Sequence, residues 1–149
     1  IPNLLPSGVA AAVRDSSAIK ILVVNLMTQP GETERYSAAD HLKALQDYLG
    51  DQGVQICLLN SRPLPRAVLA RYAAAGSEPV LADEAAVERR GAIPIAMDLL
   101  AESAAEIRHD SVKLARWIVA LTRAFQRARD LRLSDVRCFA AGAESAAPL

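Results

Sequence analysis

The pattern of apolar and polar positions changes period along the chain, and three segments have the character of strands. Residues 18–26 form a nearly continuous apolar, β-branched run, which is typical of a strand buried on both faces of a parallel sheet. Residues 54–60 form a second such run and residues 93–99 a third, in which Pro94 favours a place near a sheet edge. The pattern predicts a three-stranded, mainly parallel sheet.

Helical periodicity fills the gaps between these runs. Ser37 and Asp40 have capping-box spacing ahead of a helix that stops at Gly50, and Pro65 suits the first turn of a helix that ends near Gly76. Shorter helical segments follow a Ser7 cap and occupy residues 85–90. The last helix follows Asp110, and its apolar stripe consists of Leu114, Ile118, Leu121 and Phe125.

The alternation of helix and strand indicates a Rossmann-like, three-layer α/β fold. Three strands make only part of such a sheet, and the opening residues read like the interior of a protein, so we expect a fragment of a larger domain. We assign residues 1–137 to this domain. The Ala-, Gly- and Ser-rich residues 138–149 predict a disordered tail.

Composition narrows the function classes. The 149 residues are 52% hydrophobic and carry 17 basic and 17 acidic side chains without a long run of either sign, so we expect neither nucleic-acid binding nor an anionic membrane surface as partner. The apolar runs are far shorter than the roughly 20 residues of a membrane span, and we expect a cytoplasmic protein. Cys57 and Cys138 have no metal-ligand spacing, which argues against a zinc site or a disulfide framework.

The familiar catalytic and phosphate-binding motifs do not occur in the sequence. GxGxxG, GxxxxGK[ST] and GxSxG are all absent, and neither His41 nor His109 has an evident nucleophile partner. Attention therefore moves to the polar segment 26–35 that follows the first strand. In α/β folds, a loop at the carboxyl end of a strand is where ligands usually bind, and the next helix can present free N–H groups.

This loop carries groups that can recognise a polar ligand. Asn25, Thr28 and Gln29 can pair with polar edges, while Glu32 can accept hydrogen bonds from sugar hydroxyls or coordinate a cation. The alternative is a solvated loop whose Thr and Glu residues only cap the next helix.

Three further residues are candidates for the same edge of the sheet. His41 starts the following helix and Asn60 ends the second strand, so both can face the loop, while Arg108 offers a guanidinium before the last helix. Each also has a plain interpretation: a surface histidine, a strand-exit asparagine and a solvated arginine.

Four strings together resemble the carboxyl-terminal half of the YvcK-like gluconeogenesis factor family, within the CofD-like superfamily named for 2-phospho-L-lactate transferase. They are IPNLL at 1–5, NLMTQPGET at 25–33, YSAADHLKA at 36–44 and IRHD at 107–110. The resemblance implies a bacterial, non-enzymatic regulator that links carbon metabolism to cell-wall synthesis and cell shape. It also implies UDP-N-acetylglucosamine or a related nucleotide sugar as ligand, with no metal or catalytic residue assigned.

The resemblance also implies roles for individual residues and partners. The glycine-rich phosphate loop would belong to the amino-terminal half, Arg108 would approach the ligand's phosphates, and Ser111 would be a phosphorylation site beside the helix dipole. A second copy of the chain or a cell-wall synthesis protein is the partner it suggests. The expected ligand-binding set is Asn25, Thr28, Gln29, Glu32, Thr33, Asp40, His41, Asn60 and Arg108.

Two alternatives remain open. A CofD-type transferase would move a phosphorylated small acid from a nucleotide donor to a cofactor acceptor, with a divalent metal at Glu32 or a nearby carboxylate. The run MTQPGET departs from the Ser-Pro-Ile-Ile-Gly-Gly-like run of that branch, and Ser61-Arg62 departs from the Ser/Thr-Gly that usually follows Asn60 in the family. A third reading is an α/β scaffold that only pairs with protein partners.

Overall fold

The computed structural model describes residues 2–102 and 106–127. After a 3₁₀ turn at Pro2–Leu4, the elements in chain order are α1 Val9–Asp15, β1 Ile21–Val23, α2 Ala38–Leu49, β2 Ile56–Asn60, α3 Arg66–Ala74, α4 Glu84–Arg89, β3 Ile93–Met97 and α5 Ser111–Arg127. The predicted tail at 138–149 lies outside the described residues. The chain divides into two compact units, 1–111 and 112–149.

The described part of the first unit contains an all-parallel sheet in the order β1-β2-β3. Ile21 is in register with Ile56, and Ile56 with Ile93. The predicted α/β fold with a parallel sheet is therefore confirmed. Residues 54–60 and 93–99 contribute shorter strands than expected, and Pro94 lies on β3, at one end of this order as predicted.

The first strand is much shorter than the predicted 18–26, because the chain leaves the sheet early. Val24 still donates its N–H to the Leu58 carbonyl at 3.1 Å. Beyond Asn25 the backbone pairs elsewhere: Met27 forms an antiparallel bridge with Pro79. The apolar run 18–26 was predicted to be one strand, but the chain at residues 26–27 pairs with residues 79–80 and not with β2.

The termini of α2 follow the sequence prediction, whereas the start of α1 does not. Ser37 and Asp40 form the capping box, and Gly50 closes the helix at φ 80°, a conformation that costs glycine little. The N-cap of α1 is Gly8 at φ 82° with no side-chain cap, so the prediction of a Ser7 cap was wrong. The left-handed Gly8 turns the chain into the helix one residue later.

Two groups of buried side chains hold the described part of the first unit together. One joins β1 and β2 to α2 and α4 and includes Leu42, Cys57, Leu59 and Val87. Burial raises the pKa of the Cys57 thiol to about 12, so this cysteine is a packing residue rather than a nucleophile. The other group joins the loop after β1 to α3 and consists of Leu26, Met27, Val68, Leu100 and Ile107.

The described part of the second unit is the rest of helix α5. Leu121 is buried and Leu114, Ile118 and Phe125 are half-buried, whereas Arg116, Arg123 and Arg127 are exposed. The predicted apolar stripe is therefore the less exposed side of this helix. Across residues 2–102 and 106–127, no helix is both long enough and apolar enough to cross a membrane.

Candidate functional site

A cleft of about 320 Å³ opens at the carboxyl end of β1, between the loop after this strand and helix α2. We call it the loop–α2 cleft. Its described lining is Pro2, Leu22, Val23, Asn25, Gln29, Glu32, Thr33, Tyr36, His41, Ala44 and Leu45. Five of the nine predicted ligand residues thus meet in one cavity, and the size is typical of a small-molecule site.

The wall formed by the loop is shaped by its own hydrogen bonds. The Gln29 N–H donates to Thr33 Oγ1 at 2.8 Å, and the Gln29 carbonyl accepts from the N–H groups of Glu32 and Thr33 at 3.1 and 2.9 Å. Gly31 takes φ 81° and donates its N–H to Glu34 Oε1 at 2.9 Å. The backbone, Thr33 and Glu34 therefore hold the turn without the Gln29 and Glu32 side chains, and both of these residues line the cleft.

Residues 26–28 are anchored to a crossing segment at 77–80. Thr28 is 4% exposed and donates its N–H to the Glu78 carbonyl at 2.7 Å, while its hydroxyl accepts from the Glu78 N–H at 2.9 Å. The buried Ser77 hydroxyl donates to the Thr28 carbonyl at 2.6 Å. Thr28 lines a neighbouring cavity rather than the loop–α2 cleft, and it fixes the base of the loop.

His41 lies on the opposite wall of the cleft, in the first turn of α2. Its Nδ1 is 2.8 Å from the Ser37 carbonyl, and its ring meets Tyr36 edge to face at 5.4 Å. Its Nε2 is buried and has no hydrogen-bond partner within residues 2–102 and 106–127. The structure therefore brings His41 to the loop, as its position after the strand suggested.

The amino terminus of α2 does not offer the free N–H groups expected of it. The Ala38 N–H donates to the Leu81 carbonyl at 2.9 Å and the Ala39 N–H to Asp83 Oδ1 at 3.0 Å. The next two donate to Ser37, at its Oγ (3.3 Å) and its carbonyl (3.1 Å). This expectation was wrong, because residues 81–83 and the capping box together satisfy the whole first turn.

Asp40 serves the helix rather than the cleft. Its Oδ2 accepts from the Ser37 N–H at 3.0 Å and from the Ser37 hydroxyl at 2.9 Å. Chiefly through the backbone hydrogen bond, Ser37 holds the pKa of Asp40 below its ordinary value of 3.8. The described lining of the loop–α2 cleft does not include Asp40.

Asn60 sits beside Asn25, as expected for the ends of two neighbouring parallel strands. Both line an adjoining cavity of about 210 Å³. Asn60 Nδ2 donates to the Arg62 carbonyl at 2.6 Å, and its Oδ1 accepts from the Leu99 N–H at 3.2 Å. The side chain therefore joins the ends of β2 and β3, and Asn25 is the residue that the two cavities share.

Arg108 and Ser111 lie outside the loop–α2 cleft. The Arg108 side chain is 74% exposed and pairs with Glu106, and it is not among the residues that line the cleft. Ser111 is exposed as the first residue of α5. Their roles toward phosphate and as a modification site stay predictions.

The structure also groups residues that we had not included in the site. His109 and Tyr72 line a cavity of about 260 Å³ together with Gln29 and Thr28. Burial lowers the pKa of His109 below its usual value, against a hydrogen bond with the Val24 backbone. The IRHD string could have pointed to His109 as a site residue. Tyr72 had no such signal, because in the sequence it belongs to the apolar side of α3.

A metal site can be tested on the same residues. Within 2–102 and 106–127, no three His, Cys, Asp or Glu side chains stand close enough to hold a metal ion. Glu32 is the one carboxylate in the described lining of the loop–α2 cleft. The residues described do not form the divalent-metal site that a transferase would use at Glu32, and we assign no step to a metal.

The geometry defines an α/β protein with a ligand-sized cleft at the carboxyl edge of a parallel sheet. The family model for 2-phospho-L-lactate transferase CofD matches residues 1–100, and the chain belongs to this CofD family. Sequence comparison places gluconeogenesis factors among its relatives, which confirms the resemblance drawn from the four strings.

Three of these relatives give the scale of the similarity. The gluconeogenesis factor of Halalkalibacterium halodurans is 36% identical over 119 residues, covering 80% of this chain and 37% of that protein. The putative gluconeogenesis factor of Thermotoga maritima is 42% identical over 126 residues, covering 83% and 40%. A crystal structure of a UPF0052 family member from Bacillus halodurans superposes with a TM-score of 0.74 at 36% identity, covering 79% and 37%. The chain spans about two fifths of the length of these relatives.

Proposed function

We propose that this chain forms one wall of a nucleotide-sugar site in a regulatory protein of the gluconeogenesis factor type. The observation that carries the proposal is the loop–α2 cleft, where Asn25, Gln29, Glu32, Thr33 and His41 meet over apolar carbons. Amide, hydroxyl, carboxylate and imidazole groups around an apolar floor suit a ligand with many hydroxyl and amide groups. The names of the relatives support the link to gluconeogenesis.

UDP-N-acetylglucosamine is the ligand we propose, and the phosphate-binding elements lie outside the cleft. A glycine-rich loop in the amino-terminal half of the family is one element. Arg108 is the other, because its exposed guanidinium pairs with Glu106 and can exchange that partner for a phosphate. Phosphorylation of Ser111 would place a competing anion three residues from Arg108 and so regulate binding, and through it the coupling of gluconeogenesis to cell-wall synthesis.

Calorimetry of the full-length protein with UDP-N-acetylglucosamine tests the site. Gln29→Ala removes an amide that lines the cleft and has no hydrogen bond within the described residues, so we expect affinity to fall by about 0.5 to 1.5 kcal/mol. Gln52→Ala is the matched control, since Gln52 is an exposed glutamine in the turn before β2, at the opposite edge of the sheet. Equal affinities of Gln29→Ala and the wild-type protein would remove Gln29 from the site.

Arg108 is tested separately. A charge-assisted contact to phosphate predicts that Arg108→Ala loses about 1.5 to 3 kcal/mol of affinity for the same ligand. Arg66→Ala, an exposed arginine at the start of α3, is the control. An unchanged binding enthalpy and affinity in Arg108→Ala would assign the phosphates to other residues.

The matched family model supports a second candidate, a CofD-type transferase. Such an enzyme would transfer a phosphorylated small acid such as 2-phospho-L-lactate from a nucleotide donor to a cofactor acceptor. Incubation of the full-length protein with nucleotide donors, acceptors and Mg²⁺, followed by mass spectrometry, separates the two functions. Metal-dependent product would favour the transferase over the regulator.

A further inference from the structure

We infer that the loop–α2 cleft receives the uncharged sugar of a nucleotide sugar, with His41 Nε2 accepting a hydrogen bond from a sugar hydroxyl. This inference rests on the proposed function and assigns one part of that ligand to one cavity. Three observations carry it: the tautomer that Ser37 favours for His41, the absence of positive charge in the described lining, and the satisfied first turn of α2.

The tautomer of His41 follows from its neighbour. Ser37 O is a carbonyl oxygen and can only accept, so the Nδ1 at 2.8 Å must carry the proton. In this tautomer Nε2 carries a bare lone pair, and the atom is buried without a partner among the residues that the structure describes. Tyr36 packs edge to face against the same ring. A buried acceptor left unpaired is costly, and a ligand donor removes that cost.

The charges around the cleft are unsuited to a phosphate. None of the described lining residues is Lys or Arg, and Glu32 contributes a carboxylate. A phosphate would ordinarily use the N–H groups at the start of a helix, but the first four of α2 already donate to Leu81, Asp83 and Ser37. The cleft therefore selects an uncharged group.

The choice between sugar and base follows from the balance of donors and acceptors. Two groups in the cleft, His41 Nε2 and the Glu32 carboxylate, can only accept. A hexose presents several O–H donors, and the amides of Asn25 and Gln29 can pair with its remaining oxygens. The edge of uracil has one N–H donor between two carbonyl acceptors. Its carbonyl oxygens could not form hydrogen bonds with His41 Nε2 or the Glu32 carboxylate, because all of these groups are acceptors. The side chains of Leu22, Val23 and Leu45 provide apolar contact for a sugar ring.

Calorimetry of the full-length protein with two probes, UDP-N-acetylglucosamine and UDP, tests the assignment. His41→Phe keeps a ring against Tyr36 and removes the acceptor, so we expect about tenfold weaker binding of UDP-N-acetylglucosamine and unchanged binding of UDP. His41→Gln, whose side-chain oxygen can accept at a similar place, should restore part of the loss. Equal weakening of both probes, or no change in either, would overturn the inference while the proposed function stands. Failure of the wild-type protein to bind UDP-N-acetylglucosamine would overturn both.

A spectroscopic measurement covers the case in which the His41 variants fold poorly. In wild-type protein labelled with ¹⁵N at histidine, the His41 signals, assigned as those missing from His41→Gln or by selective labelling, should show Nδ1 protonated and Nε2 bare. Addition of UDP-N-acetylglucosamine should shift the Nε2 resonance as it gains a donor, and addition of UDP should not. A protonated Nε2 in the free protein, or an Nε2 unmoved by the bound sugar nucleotide, would contradict the inference.

Discussion

The parallel strands have two ends, which we call the amino edge and the carboxyl edge of the sheet. Glutamine side chains serve different purposes at the two. At the amino edge, Gln46 is 8% exposed and its Nε2 donates to the carbonyls of Asp51 and Arg90 at 2.9 and 2.8 Å. At the carboxyl edge, Gln29 is exposed, and its side chain forms no hydrogen bond within the described residues. Gln46 joins segments of the fold, whereas Gln29 is free to meet a ligand.

Gln55 extends this contrast at the amino edge. Its Oε1 accepts from the Lys20 N–H at 2.9 Å, and its Nε2 donates to the Gln52 carbonyl at 2.7 Å. At the carboxyl edge, the Thr28 and Asn60 side chains also bond within the fold, but His41 Nε2 is buried without a partner among the described residues. A protein tolerates open polar groups where a ligand completes them, so the difference between edges points to where function lies.

The largest effect should come from the amino edge. Gln46→Ala leaves two carbonyls without their donor, and we expect a loss of about 2 to 3 kcal/mol in the free energy of unfolding, measured by urea denaturation. The control Gln52→Ala, at an exposed position, should stay within about 0.5 kcal/mol. A Gln46→Ala protein as stable as wild type would contradict the structural role of this edge.

Substitution at the base of the loop should also lower stability, because Thr28 bonds Ser77 and Glu78 through both its backbone and its hydroxyl. Thr28→Val keeps the shape and removes the acceptor of the Glu78 N–H, so we expect a loss of about 1 to 2 kcal/mol in unfolding free energy. Thr33→Val, which removes a more exposed acceptor, should cost less because water can replace it. A larger loss of unfolding free energy in Thr33→Val than in Thr28→Val would contradict the role of Thr28 as the residue that fixes the base of the loop.

The capping box should give a smaller, pH-dependent effect. Asp40 has a lowered pKa, so its stabilising contribution is fully present above 3.8 and is lost as pH falls through the lower folded value. Because the group is exposed, we expect Asp40→Asn to cost only about 0.5 to 1 kcal/mol at pH 7. Urea denaturation from pH 7 to pH 2 should show the gap from wild type narrowing at the acid end. A gap that stays constant over this range would rule out the carboxylate as its source.

The smallest effect on stability should come from the open residues of the cleft. Gln29→Ala and Glu32→Gln remove groups that make no side-chain bond to the described protein, so unfolding free energies should stay within about 0.5 kcal/mol of wild type. The same two variants should weaken UDP-N-acetylglucosamine binding. A destabilisation comparable to that of Gln46→Ala would show that both edges are structural.

Much of the fold was predictable because local signals agreed with one another. The capping box at Ser37 and Asp40, the glycine at 50 and the apolar runs specify α2 and two strands by short-range chemistry. The length of β1 was not predictable. Leu26 and Met27 continue its apolar run, but residues 26–28 pair with residues 77–80, some fifty positions away, and not with β2. An apolar run does not say which partner buries it.

The candidate site divides in the same way. The sequence supplied the residue types, the loop and the family strings, and from these Asn25, Gln29, Glu32, Thr33 and His41 could be named. It could not show that Thr28 uses its side chain for the fold, or that Arg108 stands apart from the cleft. Those outcomes depend on distant partners such as Glu78 and on the path of the chain after β3.

The sequence by itself therefore determined the family, the α/β class and the loop that carries the candidate site residues, because each depends on residues that are close in the chain. Only the tertiary structure decided which of those side chains remain available. Leu81 and Asp83 reach across to the start of α2 and consume the donors that a phosphate would need. A hydrogen bond between residues more than forty positions apart leaves no trace in the local pattern, and here such bonds remove the free N–H groups that the sequence suggested for the start of α2.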